Sequence, residues 1–165
     1  MPEIDPYLEQ QYNNRAAVPQ HPRYLQSWAE RSQDYRQQAD ARLNVPYGAS
    51  QRQILDIFPA TAEPSPVHIF IHGGYWQALS KDSFSFVAET FNRAGECAVI
   101  VNYDLCPQVT VADIISQLKR AVAWVIEHIH RYGGDAGRIQ VSGHSAGGHL
   151  VARMLDPLVL PEPVR

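Results

Sequence analysis

Gly143-His144-Ser145-Ala146-Gly147 is a G-x-S-x-G pentapeptide, the spacing a serine nucleophile needs when its hydroxyl must stand clear of the backbone. A glycine on each side relieves the crowding that a Cβ would cause at a sharp strand-to-helix turn. A helix opening just after Ser145 would aim its positive end at the point where a tetrahedral oxyanion develops, with the Ala146 N–H as one donor. His72-Gly73-Gly74-Tyr75-Trp76 offers the second donor, because adjacent glycines let the Gly73 and Gly74 amides face an anion with no side chain in the way. The chemistry these residues suit is acyl transfer through Ser145. Five residues with three fixed positions recur by chance, so the weight rests on finding both motifs, roughly seventy residues apart, in one chain.

The flanking elements must deliver both motifs to one sheet edge. Val67 to Ile71 is a short apolar run ending on the first glycine motif, and Arg138 to Ser142 runs straight into the second; both are predicted strands. Between them, Ser80 is a candidate N-cap for a helix with Phe84, Val87, Ala88 and Phe91 on one face and Gly95 as its stop. Cys97 to Tyr103 is a continuous strand of the kind that helices cover on both sides. Thr110 and Asp113 form a capping-box pattern, and the stripe from Val111 to Ile129 predicts a long helix ending at Gly133 and Gly134. Alternating strand and helix is the pattern of a parallel sheet. Upstream, Gln51 to Phe58 predicts a further strand, followed by a Pro-containing loop from Pro59 to Pro66. Residues 1–45 read as a helical arm whose thin stripe, Tyr24, Trp28, Tyr35 and Ala39, suits surface packing.

Composition narrows the class. The chain has 165 residues with 45% apolar and 10% aromatic, enough for a core, and a net charge of -3 without a basic stripe, which argues against nucleic acid as partner. No apolar run approaches the ~20 residues of a membrane span, and the N-terminus lacks a signal-sequence pattern, so the expected location is cytoplasmic and no membrane partner is expected. Cys97 and Cys106 flank one strand and fit reduced thiols.

HGGYW at 72–76, VNYDLCP at 101–107, the long helix after it, and GHSAGGHL at 143–150 resemble the α/β-hydrolase superfamily, within it the arylformamidase (kynurenine formamidase)-like branch. The resemblance covers most of residues 51–156. It implies an α/β-hydrolase fold with a mostly parallel sheet and helices on both faces. It further implies hydrolysis of N-formyl-L-kynurenine, or of a related small formamide or ester, through an acyl-enzyme on Ser145, with no metal or organic cofactor. Lipase-like relatives keep a third glycine where this chain has Tyr75. Tyr75, Trp76, His72 and His144 are candidate pocket residues, with core packing the alternative for the Tyr-Trp pair and for His144, while His72 is the residue expected to order the oxyanion loop.

A serine nucleophile of this type requires a histidine base, and in this fold the order is Ser, then Asp or Glu, then His. After Ser145 come His149, Asp156 and Glu162. His149 lies four positions on in the same helix, so its ring would sit beside that helix and away from the hydroxyl. His128 and His130 read as solvated residues near a helix end, and no histidine spacing suits a metal. The expectation is a chain truncated after the nucleophile helix, with residues 46–165 forming the N-terminal half of a hydrolase domain and the triad Asp and His missing. The unpaired outer edge of strand 138–142 would then be open to self-association or to another chain. A catalytically incompetent remnant or binding module, and a general carboxylesterase, are the alternative readings.

Overall fold

The computed structural model describes residues 5–155. Helices α1 (Pro6–Tyr12), α2 (Asn14–Ala17) and α3 (His21–Gln38) lead into a five-stranded sheet. Its strands are β1 (Arg42–Pro46), β2 (Ile54–Phe58), β3 (Ser65–Ile71), β4 (Cys97–Val101) and β5 (Gly134–Gly143), in the order β1-β2-β4-β3-β5. β4, β3 and β5 run parallel, while β1 and β2 are antiparallel to their neighbours. The remaining helices are α4 (Phe86–Arg93), α5 (Val111–His128) and α6 (Ala146–Leu155).

Because strand side chains alternate in direction, the apolar runs of β2, β3 and β4 supply two cores at once. Leu55, Ile57, Ile69, Ile71, Val99 and Val101 pack with Ile114, Leu118 and Val125 of α5 and with Leu150 and Met154 of α6. Phe58, Phe70, Ala98 and Ile100 face the other way and meet Phe84 and Ala88, with Trp28 and Tyr35 of α3 against them. The helical period of α5 places Ile114, Leu118, Ala121 and Val125 on its buried side, and Thr110 closes the predicted capping box with Asp113.

Some boundaries differ from the sequence reading. The stretch read as helical to residue 45 turns to strand at Arg42, because the Asn44 N–H is claimed by the buried Asp56 carboxylate at 2.8 Å and the segment pairs with β2. RLNVP does alternate, with Leu43 and Val45 between polar residues, but over five residues ending on Pro46 the pattern is too short to stand out from the helical arm before it. Ser80 caps a short 3-10 turn, Lys81–Ser83, and not α4, which begins at Phe86. That turn brings Lys81 into the core, where Asp56 holds its amine at 2.9 Å. Among the described residues, no helix is long and apolar enough to cross a membrane.

Candidate active site

Ser145 occupies the bend between β5 and α6 with φ +55, a left-handed conformation that an L-residue adopts only where its surroundings enforce it. The enforcement is steric. A Cβ on Gly143 would lie 2.4 Å from the Gly147 carbonyl carbon, and one on Gly147 would lie 2.1 Å from the Ile71 carbonyl oxygen. Only glycine lets the outgoing helix cross this close to the incoming strand and to the end of β3. The His144 N–H donates to the Ile71 carbonyl (3.1 Å) and the Gly147 N–H to the His144 carbonyl (2.9 Å), pinning the turn on both sides. Ser145 itself is exposed, and Ala146 opens α6, where the first backbone N–H groups have no partner within the helix.

The second glycine motif lies against this bend. A Cβ on Gly73 would stand 2.6 Å from the His144 carbonyl oxygen and 3.0 Å from Ser145 Cβ, so the sequence-distant motifs touch at backbone level. Gly74 serves a different purpose: at φ +120, with the Ala78 carbonyl 2.1 Å from where its Cβ would be, it turns the loop. The Gln77 and Ala78 N–H groups both close on the Gly74 carbonyl, and Tyr75, Trp76 and Leu79 all take positive φ. A run of such residues in one loop marks stored strain of the sort found at functional sites.

His72 orders this loop from below. Its ring is fully buried, stacked 4.3 Å from Tyr103 and 5.8 Å from Phe84. Nδ1 lies 2.7 Å from the Gly73 carbonyl and Nε2 3.1 Å from Asn102 Oδ1, while the Tyr103 hydroxyl donates to the His72 carbonyl at 2.7 Å. Burial pushes its pKa down to about 4, so at neutral pH the ring is uncharged and one N–H serves one of those two oxygens. Asn102 Oδ1 also accepts from the Lys81 N–H (3.2 Å) and Arg52 (3.3 Å), tying the loop to the Lys81 turn. Asn102, Lys81, Asp56 and Arg52 were not singled out from sequence. The only signal was the polar Asn102 ending an otherwise apolar strand.

A cavity of about 250 Å³ opens above Ser145, walled by Gly74, Tyr75, Leu79 and His144 on one side and by Tyr24, Leu25 and Trp28 of α3 on the other. Of the expected pocket residues, Tyr75 and His144 are on this wall. His72 is not, because it is buried beneath the loop, and Trp76 is not, because its indole packs on the α5/α6 core and edge-on against His149 at 5.3 Å. His149 is therefore engaged by Trp76, and no histidine among the described residues is hydrogen-bonded to the Ser145 hydroxyl. Asp156 and Glu162 lie outside the described residues.

Two further clusters sit on the α3/α4 face. Lys81, 1% exposed, pairs with Asp56, 0% exposed, and reaches Asp82 at 2.7 Å. His68 bonds Ser142 Oγ through Nε2 (2.7 Å), stacks on Phe91 at 3.6 Å, and places Nδ1 3.3 Å from Glu96 without hydrogen-bond alignment. Burial lowers the His68 pKa, opposed by the Glu96 carboxylate. No group of three or more His, Cys, Asp or Glu among the described residues is arranged to hold a metal ion. Cys97 and Cys106 are free thiols, and burial raises the first to about 12.

A mixed sheet with helices on both faces and a strained serine bend at the carboxyl end of its parallel strands defines an α/β-hydrolase fold. Residues 55–155 match the BD-FAE family model, and the chain belongs to that family. It is 38% identical to kynurenine formamidase of Salmo salar over 72% of its own length and 40% of the relative's. To esterase LipQ of Mycobacterium tuberculosis it is 36% identical, over 72% of this chain and 30% of that one. Among solved structures, a protein of Silicibacter sp. tm1040 described as a candidate thioesterase superposes with a TM-score of 0.83 at 39% identity, covering 94% of this chain and 58% of the other. Esterase B of Lactobacillus rhamnosis shares the fold with a TM-score of 0.68 at 20% identity, over 86% of this chain and 49% of that one. The chain thus spans about 40% of the length of the kynurenine formamidases it matches.

Proposed function

We propose that this chain is the nucleophile half of a serine hydrolase acting on a small formamide or carboxylic ester, with N-formylkynurenine as the model substrate. The observation that carries the reading is the contact between motifs: Ser145 in a forced left-handed bend with Gly73 jammed against it. In the proposed reaction the Ser145 oxygen attacks the carbonyl carbon, its proton passes to a base, and the amide N–H groups of Ala146 and of Gly73 or Gly74 receive the oxyanion. Collapse breaks the carbonyl bond to the amine or alcohol, which leaves with the proton. Water then attacks the acyl-serine, releasing formate or another acid and restoring the hydroxyl. The kynurenine formamidase relatives favour the formamide over a general carboxylester.

The base and its carboxylate belong, in this reading, to residues other than 5–155, which follow the nucleophile in this fold's chain order. The described residues alone keep what an oxyanion hole and binding supply, a residual ~10³ to 10⁴-fold acceleration over water. A small-molecule substrate is the expected partner, and no nucleic-acid or membrane role is proposed. The test treats the chain and its Ser145→Ala variant with an aryl fluorophosphonate and maps adducts by peptide mass, alongside turnover of N-formylkynurenine and p-nitrophenyl acetate. A single adduct on Ser145 with residual turnover is the expected result. No adduct on Ser145 would overturn the nucleophile assignment, and Ser145-dependent turnover at ordinary rates of ~1 to 10³ s⁻¹ would place a working base within this chain and overturn the residual-rate expectation.

A further inference from the structure

The cavity over Ser145 has two walls of different origin. One is the strained glycine loop; the other is the first half of α3 together with α2, segments that contribute nothing to the sheet. α3 is fastened through its second half. The Phe86 N–H donates to Ser32 Oγ (3.2 Å), Arg36 bonds Ser85 Oγ (2.8 Å), the Tyr35 hydroxyl reaches Asn92 Oδ1, and Arg31 lies over the Phe86 ring at 4.4 Å. Trp28 marks the transition, in contact with Phe84 at 5.6 Å on the anchored side and edge-on to His144 at 5.7 Å on the cavity side. N-terminal to it, Tyr24 is 56% exposed, facing across the cavity a Tyr75 that is 47% exposed. Large aromatic rings left this open around a concave site are surface that a ligand would cover.

The same wall carries one full charge. Arg15 lines both this cavity and an adjoining one that shares Gly74 and Tyr75, and it has no ion-pair partner among the described residues. A guanidinium at the rim of an aromatic-lined cavity suits a ligand with a flat ring and a carboxylate a few bonds away.

We infer that the N-terminal arm is the specificity element of the Ser145 cavity: Tyr24, Trp28 and Tyr75 receive an aromatic leaving group, and Arg15 pairs with its carboxylate. This rests on the hydrolase reading above and names the part of the chain that would choose the substrate. Residues 15–28 and Tyr75 thus act on binding, while the glycine amides and the Ser145 bend act on chemistry.

Binding tests this without requiring turnover. Isothermal titration calorimetry of the full chain uses kynurenine, 2-aminoacetophenone (the ring without the amino acid) and alanine (the amino acid without the ring). Kynurenine binds best. Arg15→Gln weakens kynurenine about tenfold, the scale of one charge-assisted hydrogen bond, and leaves 2-aminoacetophenone unchanged. Tyr24→Ala, at a position too exposed to threaten folding, weakens both aromatic ligands and leaves circular dichroism unaltered. Failure of kynurenine to bind at ~1 mM, or equal binding by wild type, Arg15→Gln and Tyr24→Ala, overturns the inference. A Ser145 adduct with arm-independent binding sinks the specificity assignment alone, whereas absence of the adduct sinks the hydrolase reading.

Discussion

On its α5/α6 side the sheet presents Leu55, Ile57, Ile69, Val99 and Val101 to aliphatic helix faces, whereas on its α3/α4 side it buries Asp56 and His68 among Phe58, Phe70, Phe84 and Phe91. The first face is held by close packing and buried area, and neither dispersion nor hydrophobic burial is directional. The second face is held by directional contacts, which fix positions. Those contacts form a chain that leads to the site: Asp56 holds Lys81, the Lys81 N–H bonds Asn102, Asn102 meets His72, and His72 stands under Gly73. A buried polar chain costs desolvation, so its placement on the side that carries the glycine loop suggests a use in positioning.

Breaking the polar face should show the largest effect. Lys81→Met leaves the Asp56 carboxylate buried with the Asn44 N–H as its surviving partner, and we expect a loss of about 3–5 kcal/mol by urea denaturation. The double change Asp56→Leu with Lys81→Met should recover most of that, because the charge goes with its partner. Leu118→Ala on the aliphatic face costs about 2–5 kcal/mol by cavity formation, and no second deletion restores it. Recovery by the paired change on the polar face, and none on the other, is the signature of the contrast; equal behaviour would erase it.

The pH dependence comes next. His72 titrates at about 4 when folded against an ordinary value of 6.5, and His68 is shifted in the same direction, so the native state prefers both rings neutral. A depressed histidine pKa means the unfolded chain takes up the proton first. Stability is therefore full above pH ~6.5 and falls as the pH drops toward 4, by about 3 kcal/mol for His72 alone. Urea midpoints measured from pH 7 to pH 4 should decline, less steeply in His72→Gln; parallel profiles would refute the assignment.

Smaller still is Gly73→Ala, whose Cβ must displace the His144 carbonyl at 2.6 Å, at a cost of about 1–3 kcal/mol seen as a lowered midpoint. Gly95→Ala, at φ +81 with open space around its Cβ, shows what backbone strain costs where no such contact is made. At the small end, Thr110→Ala removes the cap of α5 on the aliphatic side and should cost about 1 kcal/mol without disturbing the loop.

Much of this architecture was legible in the chain. Apolar runs at 67–71 and 97–101, the capping box at Thr110 and the two glycine motifs report local demands, since strand period, cap geometry and crowding act within a few residues. By sequence alone, the glycines at 143 and 147 determined where a tight bend could form and which hydroxyl would sit on it. Strand β1 left only the short alternation of Leu43 and Val45, and it is fixed as a strand by pairing with β2 and by the pull of Asp56 on the Asn44 N–H. The fates of the neighbouring aromatics were likewise undecided: only tertiary packing sent Trp76 to the core and left Tyr75 on the cavity wall. The arm's place over Ser145 depends on Ser32, Tyr35 and Arg36 meeting partners some fifty residues away, contacts set by how helices dock and not by any pattern along the chain.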